Sequence, residues 1–156
     1  MNNRTIVIED NSLALLELLE EDVTMLYDCW KDDVTQRGFN FRFDIDEKEF
    51  TDKFLENYPL NVSVFSKKLN CIVGNIRLSK DGMNDLAIWI YPEYRNSGFG
   101  FQSYEMACKH CLDYLEVDYI NEGCYENNSI SKRILEKIGF MKHPNLDETE
   151  EDAFKP

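Results

Sequence analysis

The sequence predicts one mixed α/β domain built on a single sheet, and three observations carry that prediction. Short runs rich in valine, isoleucine and aromatic residues recur between turn residues, as strands do. Longer segments between them repeat their apolar residues at helical spacing. At the centre, an apolar run from Leu86 to Tyr91 passes through a glycine-containing loop into an amphipathic stretch from about Phe101 to Leu115. A chain of 156 residues is long enough to bury a substantial core, and 1–156 reads as a single domain.

In chain order, Thr5–Asp10 and Leu13–Leu19 flank an Asn11-Ser12 turn and read as a hairpin or two successive strands. Glu20-Glu21-Asp22 places acids where a helix amino terminus favours them. Val23, Leu26, Tyr27, Trp30 and Val34 then mark one helix that ends at Gly38. Phe39, Phe41 and Phe43 alternate in a short extended stretch. Asp46 with Glu49 forms a capping-box pattern, with Ile45 and Phe50 at the positions of a hydrophobic staple. This predicts a second helix stopping before Pro59.

Two strands follow, around Val62–Val64 and over Cys71–Leu78, joined by a turn at Lys67–Asn70. The Lys80-Asp81-Gly82 turn leads to the Leu86–Tyr91 strand. Beyond the long helix, Val117 to Tyr125 reads as an unusually polar strand. Asn127-Asn128-Ser129 caps a last helix with an Ile130, Ile134, Ile138 stripe, and Gly139 suits its C′ position. Residues 144–156 are an acidic tail or a weak final strand. The predicted order is β-β-α-α-β-β-β-α-β-α-β.

Charge is unevenly distributed. Glu9 to Asn57 holds fifteen acidic and five basic residues, whereas Asn61 to His143 holds ten of each, within a net charge of −13. Such acidity excludes nucleic acid as a partner. An acidic surface beside a site favours a cationic ligand; otherwise it is only solvated. No apolar run reaches the roughly 20 residues of a membrane span, and no signal-peptide pattern is present. The five cysteines show no framework spacing, so a cytoplasmic location is expected and no membrane partner. Cys108-x-x-Cys111 falls on the apolar stripe of the long helix and reads as core; no metal site is expected.

The loop Arg95-Asn96-Ser97-Gly98-Phe99-Gly100 lies where a strand feeds a helix. Backbone N–H groups and the helix dipole there make a place for an anion. It matches neither G-x-G-x-x-G nor the P-loop pattern. Taken alone, Gly98 and Gly100 either admit a phosphate or merely permit close strand-to-helix packing.

A second segment begins 28 residues beyond Gly100: Asn128-x-x-Ser131-x-x-x-Leu135-Glu136-Lys137-Ile138-Gly139-Phe140. With Tyr91-Pro92-Glu93-Tyr94-Arg95-Asn96-Ser97-Gly98-Phe99-Gly100, and with the run from Leu13 to Trp30, it resembles the GNAT superfamily of acetyl-CoA-dependent N-acetyltransferases. The Asn-x-x-Ser form looks most like the RimJ/RimL branch. The resemblance spans about Leu13 to Lys142.

The resemblance implies a GNAT fold: a mixed, mostly antiparallel sheet flanked by helices, with its fourth and fifth strands splayed. Here these would be Asp85–Tyr91 and Val117–Tyr125. Acetyl-CoA would be the co-substrate, held by Ile90, Tyr91, Arg95, Asn96, Ser97, Gly98, Phe99, Gly100, Asn128 and Ser131. The pyrophosphate would rest on the backbone of Arg95–Gly100, with Arg95 either adding a charge-assisted contact or staying solvated. Many members carry a tyrosine acid where this chain has Leu135. In the RimL-like branch the serine has been assigned that role, which here is Ser131, one helical turn before Leu135. The alternative for Ser131 is a small residue where the helix passes the ligand. Asn128 would cap the helix or bond the pantetheine arm.

For the base, Asp85 stands where relatives often carry glutamate, on the strand face shared with Ala87, Trp89 and Tyr91. Glu122 is the second candidate. The acceptor would be a small-molecule amine or a protein N-terminus: a polyamine, an aminoglycoside-like amine or a basic protein terminus. The competing reading is a GNAT-fold module that binds CoA without turnover. A homodimer would let a partner complete the sheet.

Overall fold

The computed structural model describes residues 4–39, 43–82, 84–122 and 129–141. Five strands, β1 (Ile6–Glu9), β2 (Leu13–Glu17), β3 (Leu60–Ser66), β4 (Cys71–Leu78) and β5 (Leu86–Ile90), form one sheet in the order β1-β2-β3-β4-β5. Every pairing is antiparallel. The helices are α1 (Val23–Lys31), α2 (Asp33–Phe39), α3 (Glu47–Phe54), α4 (Phe99–Asp113) and α5 (Ser129–Ile138).

Both faces of the sheet are covered, which explains why Leu13, Ala14, Leu15 and Leu16 are all completely buried. Leu13 and Leu15 meet the core under α4, where Tyr104, Ala107, Cys108 and Cys111 pack on Val73, Leu78 and Leu86. On the other face, Val23, Leu26 and Cys29 of α1 and Phe50 and Phe54 of α3 enclose Trp89 and Tyr91. Alternation along β5 divides these two cores as the sequence predicts. Cys108 and Cys111 are core residues, and burial pushes their thiols up to about 12 and about 11, so neither is a ready thiolate.

Several local signals act as expected. The Asp46 carboxylate accepts from Glu49 N–H at 2.8 Å and starts α3. At the end of α5, Phe140 N–H donates to Leu135 O at 2.9 Å and Gly139 N–H to Glu136 O at 3.1 Å. Together with φ +116° at Gly139, this is a Schellman stop.

Three expectations are corrected. The single helix from Val23 to Gly38 is broken at Asp32, whose ψ of 133° leaves the helical region. Its carboxylate accepts from Thr35 N–H at 3.0 Å and so caps a new helix, leaving Val34 64% exposed. Phe39 belongs to α2 rather than to an extended stretch, and stacks on Trp89 with ring centres 5.6 Å apart; Phe41 lies outside the described residues. The expected strand from Val117 to Tyr125 forms no ladder over its described part, 117–122. Glu116 turns the chain with φ +56°, and polar Asp118, Asn121 and Glu122 give the segment no apolar alternation. Asn121 N–H does reach Asn84 O at 3.0 Å, so the segment lies beside the start of β5. The tail from 144 and the Asn127-Asn128 cap lie outside the described residues.

Gly74 sets how closely β4 and β5 approach. It pairs with Ile90 in register, and a Cβ there would stand 2.3 Å from the backbone oxygen of Trp89. That atom is fixed by the strand and has no room to yield. Gly74→Ala is therefore expected to destabilise the fold by about 1–3 kcal/mol, the usual cost of overpacking. Denaturant unfolding checks this; an unchanged midpoint would show that the two strands shift freely.

Candidate functional site

β5 ends at Ile90, and Tyr91 N–H still donates to Val73 O at 2.9 Å. Pro92–Tyr94 then form one tight turn, Asn96 adopts φ +63° and Gly98 φ +85°. Gly98 caps α4, with Gln102 N–H giving the first helical bond back to Gly98 O at 3.1 Å. Among the described residues no backbone acceptor takes the N–H groups of Asn96 to Phe101. They are the unsatisfied donors of a helix start, at the positive end of a fifteen-residue helix.

The two glycines serve different needs. Gly98 is required by its left-handed backbone. A Cβ on Gly100 would meet Ile90 Cγ1 at 3.9 Å, an ordinary contact, so packing of the helix on the strand does not demand glycine there. The loop thus offers what a diphosphate needs: backbone donors without acceptors among the described residues, and a helix dipole of the right sign.

Arg95 is placed differently from a solvated or phosphate-facing residue. Its Nη1 donates to Asp32 Oδ2 at 2.9 Å, Nη2 to Thr35 Oγ1 at 2.7 Å and Nε to Ile90 O at 3.2 Å. Burial alone would raise the Asp32 carboxyl, but the Arg95 fork and the Thr35 N–H outweigh it and hold Asp32 below the usual range. Arg95 thereby clamps the loop, the end of β5 and the break between α1 and α2.

The structure brings Asp85 and Glu122 together. Burial leaves Asp85 with a raised pKa although the neighbouring Glu122 and Arg77 oppose the shift. Tyr104 completes the group: its hydroxyl lies 2.5 Å from Glu122 Oε2 and 3.2 Å from Leu86 O. A hydroxyl has one proton, so the short contact marks Glu122 as its acceptor. Tyr104 looks like one more core residue in the sequence stripe. The available signal is general: a buried tyrosine hydroxyl needs a partner.

Ser131 sits in the first turn of α5, on the face shared with Ile134, Leu135 and Ile138, of which Leu135 and Ile138 reach the main core. Asn128 lies outside the described residues. Ile90 contributes its carbonyl to the Arg95 clamp, and the Tyr91 ring is buried against α1.

If Arg95 acts as a clamp, Arg95→Ala and Asp32→Ala are each expected to lower stability, and the double variant by little more than either alone. The coupling should be about 1–2 kcal/mol in a double-mutant cycle. The Asp32 contribution is fully present above the unfolded carboxylate pKa and is lost as pH falls through its depressed folded value. Additive effects would mean the two side chains act independently.

Residues 12–141 match the family model of the acetyltransferase (GNAT) domain. No curated protein matches the sequence. Among solved structures, an acetyltransferase from Agrobacterium tumefaciens str. C58 superposes with a TM-score of 0.79 at 14% identity, covering 93% of this chain and 89% of that one. The spermidine N-acetyltransferase from Vibrio cholerae, in complex with CoA and spermine, gives 0.74 at 15% identity over 86% and 83%. RimL, the ribosomal L7/L12 alpha-N-protein acetyltransferase, gives 0.66 at 14% identity over 86% and 79%. A match over this much of the sequence, on a fold that presents the strand–loop–helix unit described above, means that the chain belongs to the GNAT acetyltransferases.

Proposed function

We propose that this protein transfers the acetyl group of acetyl-CoA to a primary amine of a cationic acceptor: a polyamine, an aminoglycoside-like amine or a basic protein N-terminus. The observation that carries the reading is the Asn96–Phe101 run of N–H groups without an acceptor among the described residues, which suits the CoA diphosphate. The Asn128-x-x-Ser131 motif favours the RimJ/RimL branch. The acidic first third, which supplies α1, α2 and α3 over one sheet face, favours the cationic acceptor. The protein is taken to be a single cytoplasmic domain. Among the described residues no helix is long and apolar enough to cross a membrane.

Three tasks fall to the chain's own residues. An incoming ammonium must lose its protons, and the Asp85–Glu122 pair is the acceptor we assign. Burial raises Asp85, which makes its carboxylate a better proton acceptor. The departing thiolate needs a proton, for which Ser131 is the candidate. Tyr104 holds Glu122 in place from the core side.

Thiol release from acetyl-CoA with a panel of amines tests the reading. Turnover is expected, and Ser131→Ala should lower kcat by about 10²-fold or more, far more than it weakens acetyl-CoA binding. An unchanged rate would remove Ser131 from the mechanism. CoA binding without thiol release to any amine would favour the non-catalytic module.

The pH profile isolates the base. A neutral amine alone gives log kcat/KM a slope of one below the amine pKa. A carboxylate that must also be ionised adds a second unit of slope below its own, raised, pKa. The wild type should steepen on the acid side and Asp85→Asn should not. Identical profiles would contradict the assignment.

A further inference from the structure

Arg77 on β4 stands opposite Ala87 of β5, on the sheet face covered by α1 and α3. Its guanidinium carbon lies 4.4 Å from the ring centre of Phe54, 4.6 Å from Tyr58 and 5.3 Å from Trp89. One hydrogen bond is made, from Nη1 to the Tyr58 hydroxyl at 3.3 Å. Among the described residues no carboxylate forms an ion pair with it. Asp85 is near enough to favour its charge without forming an ion pair with it. A guanidinium has five donors in a rigid fork, and most of these have no acceptor among the described residues.

A second donor in the same group is unmet. Trp89 is 3% exposed, and its indole N–H has no acceptor among the described residues. The Trp89 N–H is sealed from solvent, whereas the Arg77 nitrogens are not, so it is the Arg77 donors that stay open to an acceptor oxygen of a ligand. Arg77 lines a cavity of about 300 Å³ walled by Trp30, Phe43, Ile45, Phe50 and Tyr58, with Asp44, Lys53 and Glu56 also in its lining. Glu56 is paired with Lys80, and among the described residues Asp44 and Lys53 of the lining form no ion pair. The volume sits at the small end of ligand pockets.

We propose that this cavity receives a carboxylate of the acceptor, which the Arg77 fork grips between the aromatic rings. The acceptor is then an amino-acid-like amine: carboxylate on Arg77, amine towards Asp85, and a further cationic group answering the acidic helices. This deepens the amine-acetylation reading and rests on it. A planar anion matches the two-pronged donor geometry of a guanidinium, whereas a polyamine would leave the Arg77 donors unmet and meet repulsion from them.

Matched amines differing only in the carboxylate give the test: lysine against cadaverine, and ornithine against putrescine. In thiol-release assays the carboxylate-bearing member of each pair should have at least a tenfold higher kcat/KM. Arg77→Gln should bring the ratio to within about twofold, and Arg77→Lys should restore part of it. Equal rates for lysine and cadaverine in the wild type would overturn the proposal, whether or not the variants fold.

Fluorescence supplies a readout independent of turnover, because both tryptophans of the chain, Trp30 and Trp89, border this cavity or Arg77. Lysine but not cadaverine should change the emission, and Arg77→Gln should abolish the change. If neither amine is acetylated, selective lysine binding would uphold the cavity assignment while removing acetyl transfer to these amines. Absence of both binding and turnover would overturn the assignment itself.

Discussion

The guanidinium of Arg95 holds three parts of the chain that the sequence separates widely. One N–H group reaches the last carbonyl of β5, a second the carboxylate that interrupts α1 and α2, and a third the hydroxyl of Thr35, which is itself buried. Three directed, charge-assisted contacts from one planar group leave the loop few alternatives. Asn96 and Gly98 then turn in the left-handed region and deliver the chain to α4 with its first N–H groups unspent. A loose loop would have to be ordered by its ligand, at a cost of about 1–2 kcal/mol per residue fixed. Here that cost is met during folding.

β5 divides the labour of the site. Its inner edge is bonded to β4, at a distance that only Gly74 allows. One face gives Leu86 and Ile88 to the main core, and the other gives Ala87, Trp89 and Tyr91 to the aromatic cluster. Beside its outer edge stand Asn121, Glu122 and Tyr104. Donor loop, carboxyl pair and aromatic cavity are therefore all anchored to one five-residue strand. Relative positions that chemistry would require to within fractions of an ångström are set by rigid elements.

Much of this was legible because the signals were local. The turn at Lys67–Asn70, the Asp46 cap, the Gly139 stop and the alternation along β5 each depend on a few neighbouring residues. The strand–loop–helix unit around Gly98 was legible for the same reason. What failed depended on partners far away. Asp32 breaks a helix that its flanking apolar spacing would continue, and Arg95, its partner, lies 63 residues on. Arg95 carries the same charge whether it faces phosphate or Asp32, so residue type could not decide. Tyr104 and Arg77 were silent because a stripe of apolar spacing does not say which buried polar tip meets which group. The 117–122 part of the predicted Val117–Tyr125 strand was overread from its few apolar residues, and its polar ones were the better guide.

The central claim is that the backbone of Asn96–Gly100 receives the CoA diphosphate. Amide chemical shifts report on it directly, with CoA compared against pantetheine, which lacks the diphosphate. CoA should move the amide signals of Asn96 to Gly100 to a saturable end point, and pantetheine should leave them in place. CoA binding that perturbs other amides and leaves these five unmoved would contradict the account.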